Sequence, residues 1–454
     1  MTTELLGEPR ATDAGRPAAG RPAAEAEAQA EAEAQADRRI LGLRCRACGR
    51  PEPLGPSYVC AGCFGPLEVA YDLDVVRSVL SRATIEARPA GIWRYLELLP
   101  VATRPVRALP VGSSPLLAAE RLGEAVGIER LLIKDDSRNP SLSFKDRAVA
   151  VAVARAVDFG MDALACASTG NLAGATAAAA AVVGLPAYVF VPADLEPAKI
   201  DHALAYGATV VPVQGTYDDV NRLCLEIADE RGWGFVNINL RPFYAEGSKT
   251  LAFEIAEELG WRLPDVVVAP IASGAMFTKL AQGFDELAAI GLVERTPVRF
   301  VGGQAAGCSP VASAFGSGSD TIEPVRAPDT IVRSLAIGNP ADGRQAVELA
   351  RSSNGSIEAI PDDATAEAIR RAARLEGIYL ETAGGVTIAA AEAAHRRGII
   401  RPGDEVVAVL TGNGLKTPDA FRFGVEDRLA ERGVPGLAAA LPASYRAFEA
   451  WIDR

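Results

Sequence analysis

Along most of this chain, from about residue 107 onward, short apolar segments alternate with longer alanine-rich segments. Residues 406–410, Val-Val-Ala-Val-Leu, have the length and β-branched content of a buried strand, whereas residues 172–183 have the length and alanine content of a helix. Strands that alternate with helices pair in parallel, because each helix carries the chain back across the sheet. The alternation therefore predicts an α/β fold with mostly parallel sheets, and by itself it indicates no particular chemistry. The candidate strands are residues 163–166, 187–191, 209–213, 234–237, 266–268, 299–301 and 406–410, and the candidate helices are 172–183, 198–206, 217–231, 249–260, 277–290, 363–376 and 387–397.

Length and charge restrict the class of protein further. A chain of 454 residues with 49% hydrophobic residues has room for roughly two to three domains. The net charge of −12 argues against nucleic acid or an anionic membrane as a partner, because both attract basic surfaces. The sequence shows no signal peptide, no apolar run of about 18 residues and no disulfide framework, so we expect a cytoplasmic protein.

Lys145 lies in the run Asn-Pro-Ser-Leu-Ser-Phe-Lys-Asp-Arg, residues 139–147, where a loop enters a predicted helix. The strand-like residues 130–133 precede this loop, and the alanine- and valine-rich residues 148–157 follow it. A lysine amine becomes a nucleophile when it loses its proton, and it can then hold a carbonyl cofactor as a Schiff base. One lysine near a helix start is more often a solvated charge, so the spacing alone is weak evidence.

The run at residues 139–147 resembles the cofactor-lysine motif of the fold-type II enzymes that use pyridoxal phosphate, such as cysteine synthase and the tryptophan synthase β subunit. Residues 168–171, 272–278 and 411–416 match further segments of this family in the same order, and the resemblance runs from about residue 107 to about residue 419. Within the family the chain is most similar to the threonine synthases that carry an N-terminal four-cysteine module. Two segments favour them over the dehydratases, Ile-Gly-Asn-Pro at residues 337–340 and Leu-Thr-Gly-Asn-Gly-Leu-Lys at residues 410–416.

The resemblance implies two open, twisted, mostly parallel sheets flanked by helices, with the cofactor in the cleft between two domains. It also implies a small zinc ribbon before them, and a homodimer. The N-terminal tail is rich in alanine and glutamate and lacks an apolar stripe, so we expect it to be disordered. The predicted units are a tail at 1–38, a zinc ribbon at 39–72, a large cofactor-binding domain at 73–149 and 236–430, a small mobile domain at 150–235, and a helical extension at 431–454.

Four cysteines, Cys45, Cys48, Cys60 and Cys63, form two Cys-x-x-Cys pairs. Two such pairs can place four thiolates around a zinc ion, each pair on a tight turn. Four thiolates leave no open coordination position, so we predict a structural rather than a catalytic zinc. A ribbon without metal and a redox pair are the alternatives.

By the resemblance, Lys145 holds the cofactor and, once freed, moves protons on the substrate carbons. We assign the phosphate cradle to the start of a helix, where backbone N–H groups and the helix dipole favour an anion. This cradle comprises Ala272, Ser273, Gly274, Ala275 and Met276, and the alternative is an ordinary strand-to-helix turn. Ala272 and Met276 depart from the loops that are common in the family.

The resemblance places the Thr411 hydroxyl at the pyridine nitrogen, where a hydroxyl, unlike a carboxylate, cannot hold a full pyridinium. It also implies that Asn171 reaches the 3′ oxygen of the cofactor, and that the loop with Ser168 and Thr169 binds the substrate α-carboxylate. The alternatives are a simple turn residue for Thr411 and a helix N-cap for Thr169 or Asn171.

A substrate phosphate needs cationic or polar donors in the cleft. Lys134 resembles a threonine synthase residue that contacts this phosphate, and Asn239 and Arg241 are further candidates. Some family members carry an arginine at the positions of Tyr244 and Ala336, so this chain lacks two of those positive charges. Three alternatives stay open: Arg241 compensates for the first loss, at Tyr244, or the substrate differs, or Arg241 is only a surface salt-bridge residue.

The sequence therefore predicts an enzyme that converts O-phospho-L-homoserine and water to L-threonine and phosphate. One alternative keeps the cofactor and changes the substrate, as in a serine or threonine dehydratase or in β-replacement on phosphoserine. Another is a non-catalytic protein that uses the four-cysteine ribbon for interactions, which the retention of Lys145, Asn171 and Thr411 disfavours.

Overall fold

The protein is described here by a computed structural model that covers residues 38–168, 170–193, 200–214, 217–424 and 442–452. Nearly all of the predicted N-terminal tail and half of the predicted C-terminal extension lie outside these residues. The strands are β1 (Ile40–Cys45), β2 (Pro51–Glu52), β3 (Leu67–Tyr71), β4 (Leu116–Ala118), β5 (Arg130–Asp135), β6 (Leu164–Ala167), β7 (Ala187–Pro192), β8 (Thr209–Val213), β9 (Gly234–Phe235), β10 (Val266–Pro270), β11 (Arg299–Ala305), β12 (Ser356–Ile360) and β13 (Glu405–Leu410). The helices are α1 (Leu73–Val79), α2 (Arg82–Glu86), α3 (Glu120–Val126), α4 (Lys145–Asp158), α5 (Asn171–Val183), α6 (Asp201–Ala205), α7 (Tyr217–Arg231), α8 (Arg241–Glu258), α9 (Ala275–Ala289), α10 (Pro310–Ser317), α11 (Gly343–Ser352), α12 (Asp362–Glu376), α13 (Thr382–Arg396) and α14 (Tyr445–Ile452).

The described strands form three sheets. The largest has six strands in the order β12-β11-β10-β13-β5-β4, and every pair is parallel except β4 with β5. A second sheet has four parallel strands in the order β8-β7-β6-β9. The third is a small antiparallel sheet, β2-β1-β3, near the start of the described chain. The predicted fold class, two mostly parallel sheets flanked by helices, is confirmed.

Helices cover both faces of the six-stranded sheet, which explains why its central strands are apolar throughout. In β13, Val407 and Val409 point into a core with α8, α9 and α11. Val406 and Ala408, which alternate with them, point into a second core with α12 and α13. Successive residues of a strand face opposite sides of the sheet, so a strand buried on both sides loses the apolar–polar alternation of a half-exposed one.

The small antiparallel sheet packs directly on the helices that position the site. Leu43 and Val69 of this sheet share a core with Val149 and Val153 of α4 and with Phe243 of α8. The hydroxyl of Tyr71 also donates a hydrogen bond of 2.8 Å to Glu246 of α8. The four-cysteine segment is therefore attached to the body of the protein through α4 and α8.

Some element boundaries differ from the sequence prediction. Helix α8 begins at Arg241 rather than near residue 249, with a proline in its first turn, where the missing N–H costs no hydrogen bond. Helix α13 begins at Thr382, five residues earlier than expected, and its first turn includes the two glycines Gly384 and Gly385. No helix in the described part of the chain is both long enough and apolar enough to cross a membrane.

Candidate active site

A cleft of about 2040 Å³ lies between the carboxyl ends of the two parallel sheets, and a smaller inner pocket adjoins it. Ligands of open α/β sheets bind at this end of the strands, because the strand-to-helix loops converge there. The loops that follow β5, β6, β10 and β13 carry the four motifs found in the sequence. The cleft is lined by residues at positions 46 and 66–68, within segments 140–145, 167–172 and 201–206, at 221 and 237, and within segments 241–245, 272–279, 331–342, 381–382 and 415–424.

Lys145 is the first residue of α4, and the loop before it is joined to the segment after β13. The backbone N–H of Phe144 donates to the Thr411 carbonyl at 2.8 Å, and Ser143 forms a bridge with Gly412. The Lys145 Nζ atom lies 5.6 Å from the ring centroids of both Phe144 and Tyr244. The amine is thus held between two aromatic rings where the inner pocket meets the cleft.

A buried carboxylate, Glu381, joins the two other residues assigned to the cofactor ring. Its Oε2 accepts from the Asn171 side-chain amide at 2.8 Å, and its Oε1 accepts from the Thr411 hydroxyl at 2.9 Å. Gly412 packs against this carboxyl group, and a Cβ there would lie 2.4 Å from the Glu381 Cδ atom. Lys145, Asn171 and Thr411, which are far apart in the sequence, therefore meet around the inner pocket.

Sequence reasoning did not single out Glu381. The residue stands at the N-cap position of α13, where an acidic side chain usually serves the helix, yet it makes no capping hydrogen bond. Its carboxylate turns to Asn171 and Thr411 instead. A signal was present in the apolar Ile378 and Leu380 just before it, which marked this stretch as buried.

The proposed phosphate cradle lines the inner pocket from Ala272 to Met276. Helix α9 begins at Ala275, so its unpaired N–H groups are available to an anion. Gly274 has a φ of +94°, and a Cβ at this position would lie 2.7 Å from the Asp342 carbonyl oxygen. A glycine is therefore required for this turn. Ala272 and Met276, which differ from the residues common in the family, also line this pocket, and Met276 packs against the hydrophobic core as well.

The loop after β6 lines the cleft through Ser168 and Asn171, whereas Thr169 lies outside the described residues. Asn171 is the first residue of α5, and Gly170 precedes it as the N-cap without a side-chain hydrogen bond. The alternative reading of Asn171 as an N-cap is therefore not supported, because its side chain bonds to Glu381.

Two candidate substrate residues lie away from the cleft. Lys134 is fully buried and pairs with Glu254 at 2.9 Å and with Glu258. The Asn239 side chain is used by its own turn, where it accepts from the Phe235 N–H and donates to the Trp233 carbonyl. The expectation that Lys134 and Asn239 contact the substrate is corrected by these positions, because both side chains are already occupied by structural partners.

Arg241 does line the cleft, together with residues that the sequence did not reveal. One Arg241 nitrogen lies 2.8 Å from Asp342, and Arg46 of the four-cysteine segment binds the other oxygen of the same carboxylate at 2.6 Å. Tyr244 and Ala336, which replace arginines of some family members, line the cleft as well. The basic groups at Asp342 are therefore Arg46 and Arg241, and the positions of Tyr244 and Ala336 contribute none.

Several polar atoms of the cleft have no hydrogen-bond partner among the described residues. They are the Asn237 Oδ1, the Lys416 Nζ and the Thr417 Oγ1, all shielded from solvent by the protein. Burial lowers the pKa of Lys416, although the Glu381 and Asp146 carboxylates oppose this shift. Buried polar groups normally find partners, so these atoms and the free N–H groups of α9 fit a polar, anionic ligand such as pyridoxal phosphate with its substrate.

The four cysteines form one cluster in the small antiparallel sheet, with all four sulfur atoms within 4.8 Å of one another. Cys45 and Cys63 are 3.5 Å apart and Cys48 and Cys60 are 3.8 Å apart, and none of them is in a disulfide. Tetrahedral zinc–thiolate bonds of about 2.3 Å place the sulfurs about 3.8 Å apart. The backbone N–H of Cys48 faces the Cys45 sulfur and helps to lower the pKa of that thiol to about 7. The donor set suits zinc.

The sequence profile described as "Pyridoxal-phosphate dependent enzyme" matches residues 108–412. Threonine synthase of Methanocaldococcus jannaschii is 35% identical over 379 residues, which cover 83% of this chain and 93% of that protein. The chain belongs to the threonine synthase family of pyridoxal-phosphate-dependent enzymes. Threonine synthase of Mycobacterium bovis is 36% identical over 344 residues, 74% of this chain and 91% of that protein. The resemblance to this family seen in the sequence is thus confirmed, whereas the zinc-ribbon module stays a prediction.

Solved structures show the same fold outside the threonine synthase family. Tomato (Solanum lycopersicum) threonine deaminase isoform 2 has a TM-score of 0.58 at 23% identity, covering 70% of this chain and 84% of that chain. Maize serine racemase has a TM-score of 0.57 at 17% identity, covering 70% of this chain and 93% of that chain. At these identities the likeness concerns the fold alone.

Proposed function

We propose that this protein uses pyridoxal phosphate to convert O-phospho-L-homoserine and water to L-threonine and phosphate. The observation that carries the proposal is the 35% identity with a threonine synthase over 93% of that protein's length. The meeting of Lys145, Asn171 and Thr411 at one inner pocket supports it independently of overall identity. The M. jannaschii relative bears the name of this activity, and the present chain retains the residues that such chemistry needs.

In this proposal, Lys145 holds the aldehyde of the cofactor, and the N–H groups at the start of α9, with Ser273 and Gly274, hold its phosphate. Asn171 faces the 3′ oxygen and Thr411 faces the ring nitrogen. When bound, pyridoxal phosphate supplies an electron sink that makes the protons on substrate carbons removable. These assignments are proposals that rest on the position of each residue around the inner pocket.

The residues of the chain then have separate tasks. The Lys145 Nζ removes the α proton of the substrate and later moves the β proton, because Lys145 lines both the cleft and the inner pocket. Ser168 and the start of α5 orient the substrate carboxylate. Glu381 holds Asn171 and Thr411 in fixed orientations, and Phe144 and Tyr244 restrict the movement of the lysine.

The test is to incubate the purified holoenzyme with O-phospho-L-homoserine and to measure phosphate and threonine in the same samples. Equal amounts of threonine and phosphate support the proposal. Loss of phosphate from phosphoserine, without threonine from phosphohomoserine, would contradict it. This second outcome has a structural motive, because Tyr244 and Ala336 line the cleft at positions where some family members have arginine.

We also propose that Cys45, Cys48, Cys60 and Cys63 hold one structural zinc ion, since the sulfur spacing matches the donor geometry. Elemental analysis of the purified protein is expected to give about one zinc per chain. Cys48→Ser should remove it, and a metal-free wild type would contradict the proposal. The small domain at 150–235, a homodimer and a cytoplasmic location remain predictions, which limited proteolysis, sedimentation and cell fractionation can test.

A further inference from the structure

The four-cysteine segment forms part of the wall of the cleft. Arg46 stands inside the first cysteine pair, between Cys45 and Cys48, and it lines the cleft together with Glu68 of β3. Its backbone N–H donates to the Pro66 carbonyl at 3.0 Å, which fixes the first cysteine turn against the second. The position of this arginine in the cleft therefore depends on the folded ribbon.

Arg46 and Arg241 share a single carboxylate. Arg46 Nη1 lies 2.6 Å from Asp342 Oδ1, and Arg241 Nη2 lies 2.8 Å from Asp342 Oδ2. A second carboxylate, Glu68, is 3.8 Å from Arg46 but also pairs with Arg44 at 3.0 Å. Two guanidinium groups held by one buried carboxylate carry one net positive charge between them, which an anion can neutralise.

Asp342 orients both guanidinium groups without using all their donors. Each guanidinium has five N–H donors in a planar fork, and the hydrogen bonds to Asp342 involve one nitrogen of each. The side chains of Arg46 and Arg241 remain partly exposed, at 21% and 34%, whereas Asp342 is 4% exposed. The remaining donors are therefore accessible from the cleft and suit the several oxygens of a phosphate group.

The arginine pair lies next to the proposed cofactor cradle. The Asp342 N–H donates to the Ser273 carbonyl at 2.8 Å, and Gly274 packs on the Asp342 backbone. Tyr244 and Ala336, where some family members have arginine, also line the cleft. The ribbon thus supplies a positive charge to the cleft, whereas Tyr244 and Ala336 supply none.

We propose that Arg46 is a specificity-determining residue that binds the phosphate of the substrate together with Arg241. This inference rests on the proposed function for the identity of the substrate, but the anion site itself does not. The four-cysteine ribbon is then part of the substrate site, and it selects phosphorylated over unphosphorylated amino acids.

The experiment compares the wild-type holoenzyme with Arg46→Gln, Arg241→Gln and Arg50→Gln. Arg50 belongs to the same ribbon, pairs only with Glu52 among the described ion pairs and is 56% exposed, so its variant is the matched control. The measurements are the KM and kcat for O-phospho-L-homoserine, inhibition by inorganic phosphate, and the change in cofactor absorbance caused by L-threonine, which has no phosphate.

Arg46→Gln is expected to raise KM and to weaken phosphate inhibition, each by about 10- to 100-fold, which is the usual effect of one charge-assisted contact. Threonine binding should change by less than about threefold, and Arg50→Gln should match the wild type. Arg46→Lys should recover part of the loss, since it restores the charge without the fork. The zinc content and melting temperature of each variant show whether the ribbon has remained folded.

An unchanged KM and unchanged phosphate inhibition in Arg46→Gln would overturn the inference. An equal loss for phosphate and for threonine would overturn it as well, because that pattern indicates a purely structural contact. If the wild type makes no threonine, calorimetric titration of the holoenzymes with inorganic phosphate separates the two proposals. Weaker phosphate binding by Arg46→Gln would then support the anion site and reject phosphohomoserine as substrate, whereas no difference would reject both.

Discussion

Helix α8 carries charged residues into two very different environments. At its start, Arg241 faces the open cleft and shares Asp342 with Arg46. Further along, Glu254 belongs to a buried ion cluster in which every charge has close partners; this cluster comprises Lys134, Asp136, Arg147 and Glu254. The difference teaches that charges on one helix support the fold where they are matched, and are available to a ligand where donors remain unused.

Arg147 illustrates the matched environment. Its guanidinium is fully buried and bonds to Asp136 at 2.7 Å, to Glu254 at 2.6 Å and to the Ser114 hydroxyl at 2.9 Å. Lys145, two residues earlier, has only aromatic rings as described partners of its amine. The first turn of α4 thus holds one cation whose partners are protein groups and one that is open to chemistry.

The largest expected effect is the loss of turnover when Lys145, the cation that faces the cleft, is replaced. Lys145→Ala should lower turnover by about 10³-fold or more, because the variant loses both the attachment point of the cofactor and the proposed base. Steady-state assays measure this loss, and the visible absorbance of the holoenzyme reports the lost attachment. Lys145→Arg keeps the positive charge and should be equally inactive. Near-normal turnover in either variant would show that Lys145 is not the lysine of the site.

The second largest effect is a loss of stability when Arg147 of the buried ion cluster is replaced. Arg147→Met should lower the free energy of unfolding by about 3–5 kcal/mol, since it leaves Asp136 and Glu254 as buried carboxylates without their main partner. Urea denaturation measures the change. Arg295→Gln is the control, because Arg295 is 66% exposed and pairs with Asp285, which is 64% exposed, and such surface pairs contribute less than about 1 kcal/mol. Equal losses in the two variants would remove the distinction between buried and exposed ion pairs.

A third variant tests the residue for which sequence and structure disagree. Lys134→Met should cost about 2–4 kcal/mol of stability, somewhat less than Arg147→Met, because its partner Glu258 is 34% exposed and can be hydrated. The KM for O-phospho-L-homoserine should stay within about twofold of the wild type, since only donors in the cleft bind the phosphate. A tenfold higher KM at unchanged stability would instead restore the role that the sequence suggested.

The smallest effect is a dependence on pH. Burial opposes the charged form of Glu254, but Arg147 and Lys134 more than compensate and lower its pKa from the usual 4.5 to about 2. A carboxyl with a lowered pKa in the folded state stabilises the protein above its unfolded value and loses this contribution as pH falls. The contribution of Glu254 to stability should therefore be complete well above pH 4.5 and be lost progressively as the pH falls through 4.5 toward 2.

The decline with pH is measured as the urea midpoint in a series of acidic buffers. Arg147→Met is expected to show a weaker decline, because the pKa of Glu254 moves back up when its main partner is removed. A steeper decline in this variant would contradict the assignment of the pH dependence to the buried cluster. The wild type should already lose stability as the pH falls from 5 to 4, because the unfolded chain takes up a proton there while Glu254 of the folded protein remains ionised.

The sequence was sufficient for those parts of the molecule that depend on local patterns. Apolar runs such as residues 406–410 predicted the buried strands, because a strand covered on both faces is apolar throughout. The motifs around Lys145 and Thr411 predicted residues that do meet, since each follows a strand at the same edge of one sheet. A resemblance in four ordered segments carries this information even where single residues differ.

The sequence could not distinguish buried charges whose partners are all protein groups from charges that keep free hydrogen-bond donors in the cleft. Lys134 and Arg241 each stand at or after the end of a strand-like run in the sequence, yet the first is paired inside the core and the second lines the cleft. The partners of Lys134 lie on α8, more than a quarter of the chain away, so no local pattern announces them. The sequence did not indicate a role for Arg46 for the same reason, because its partner Asp342 is remote in the sequence. The cysteines on either side of this arginine indicate only metal binding.

The backbone link between the lysine loop and the segment after β13 has a consequence for how the protein is made. Phe144 and Thr411 are more than half of the chain apart, and their hydrogen bond forms only when the last strand of the sheet has been inserted. Contacts so distant in sequence form late in folding. A ribosome must therefore deliver residue 412 before the pocket around Lys145 has its shape. Cofactor capture would then mark the end of folding, and it would stabilise only chains that have completed it.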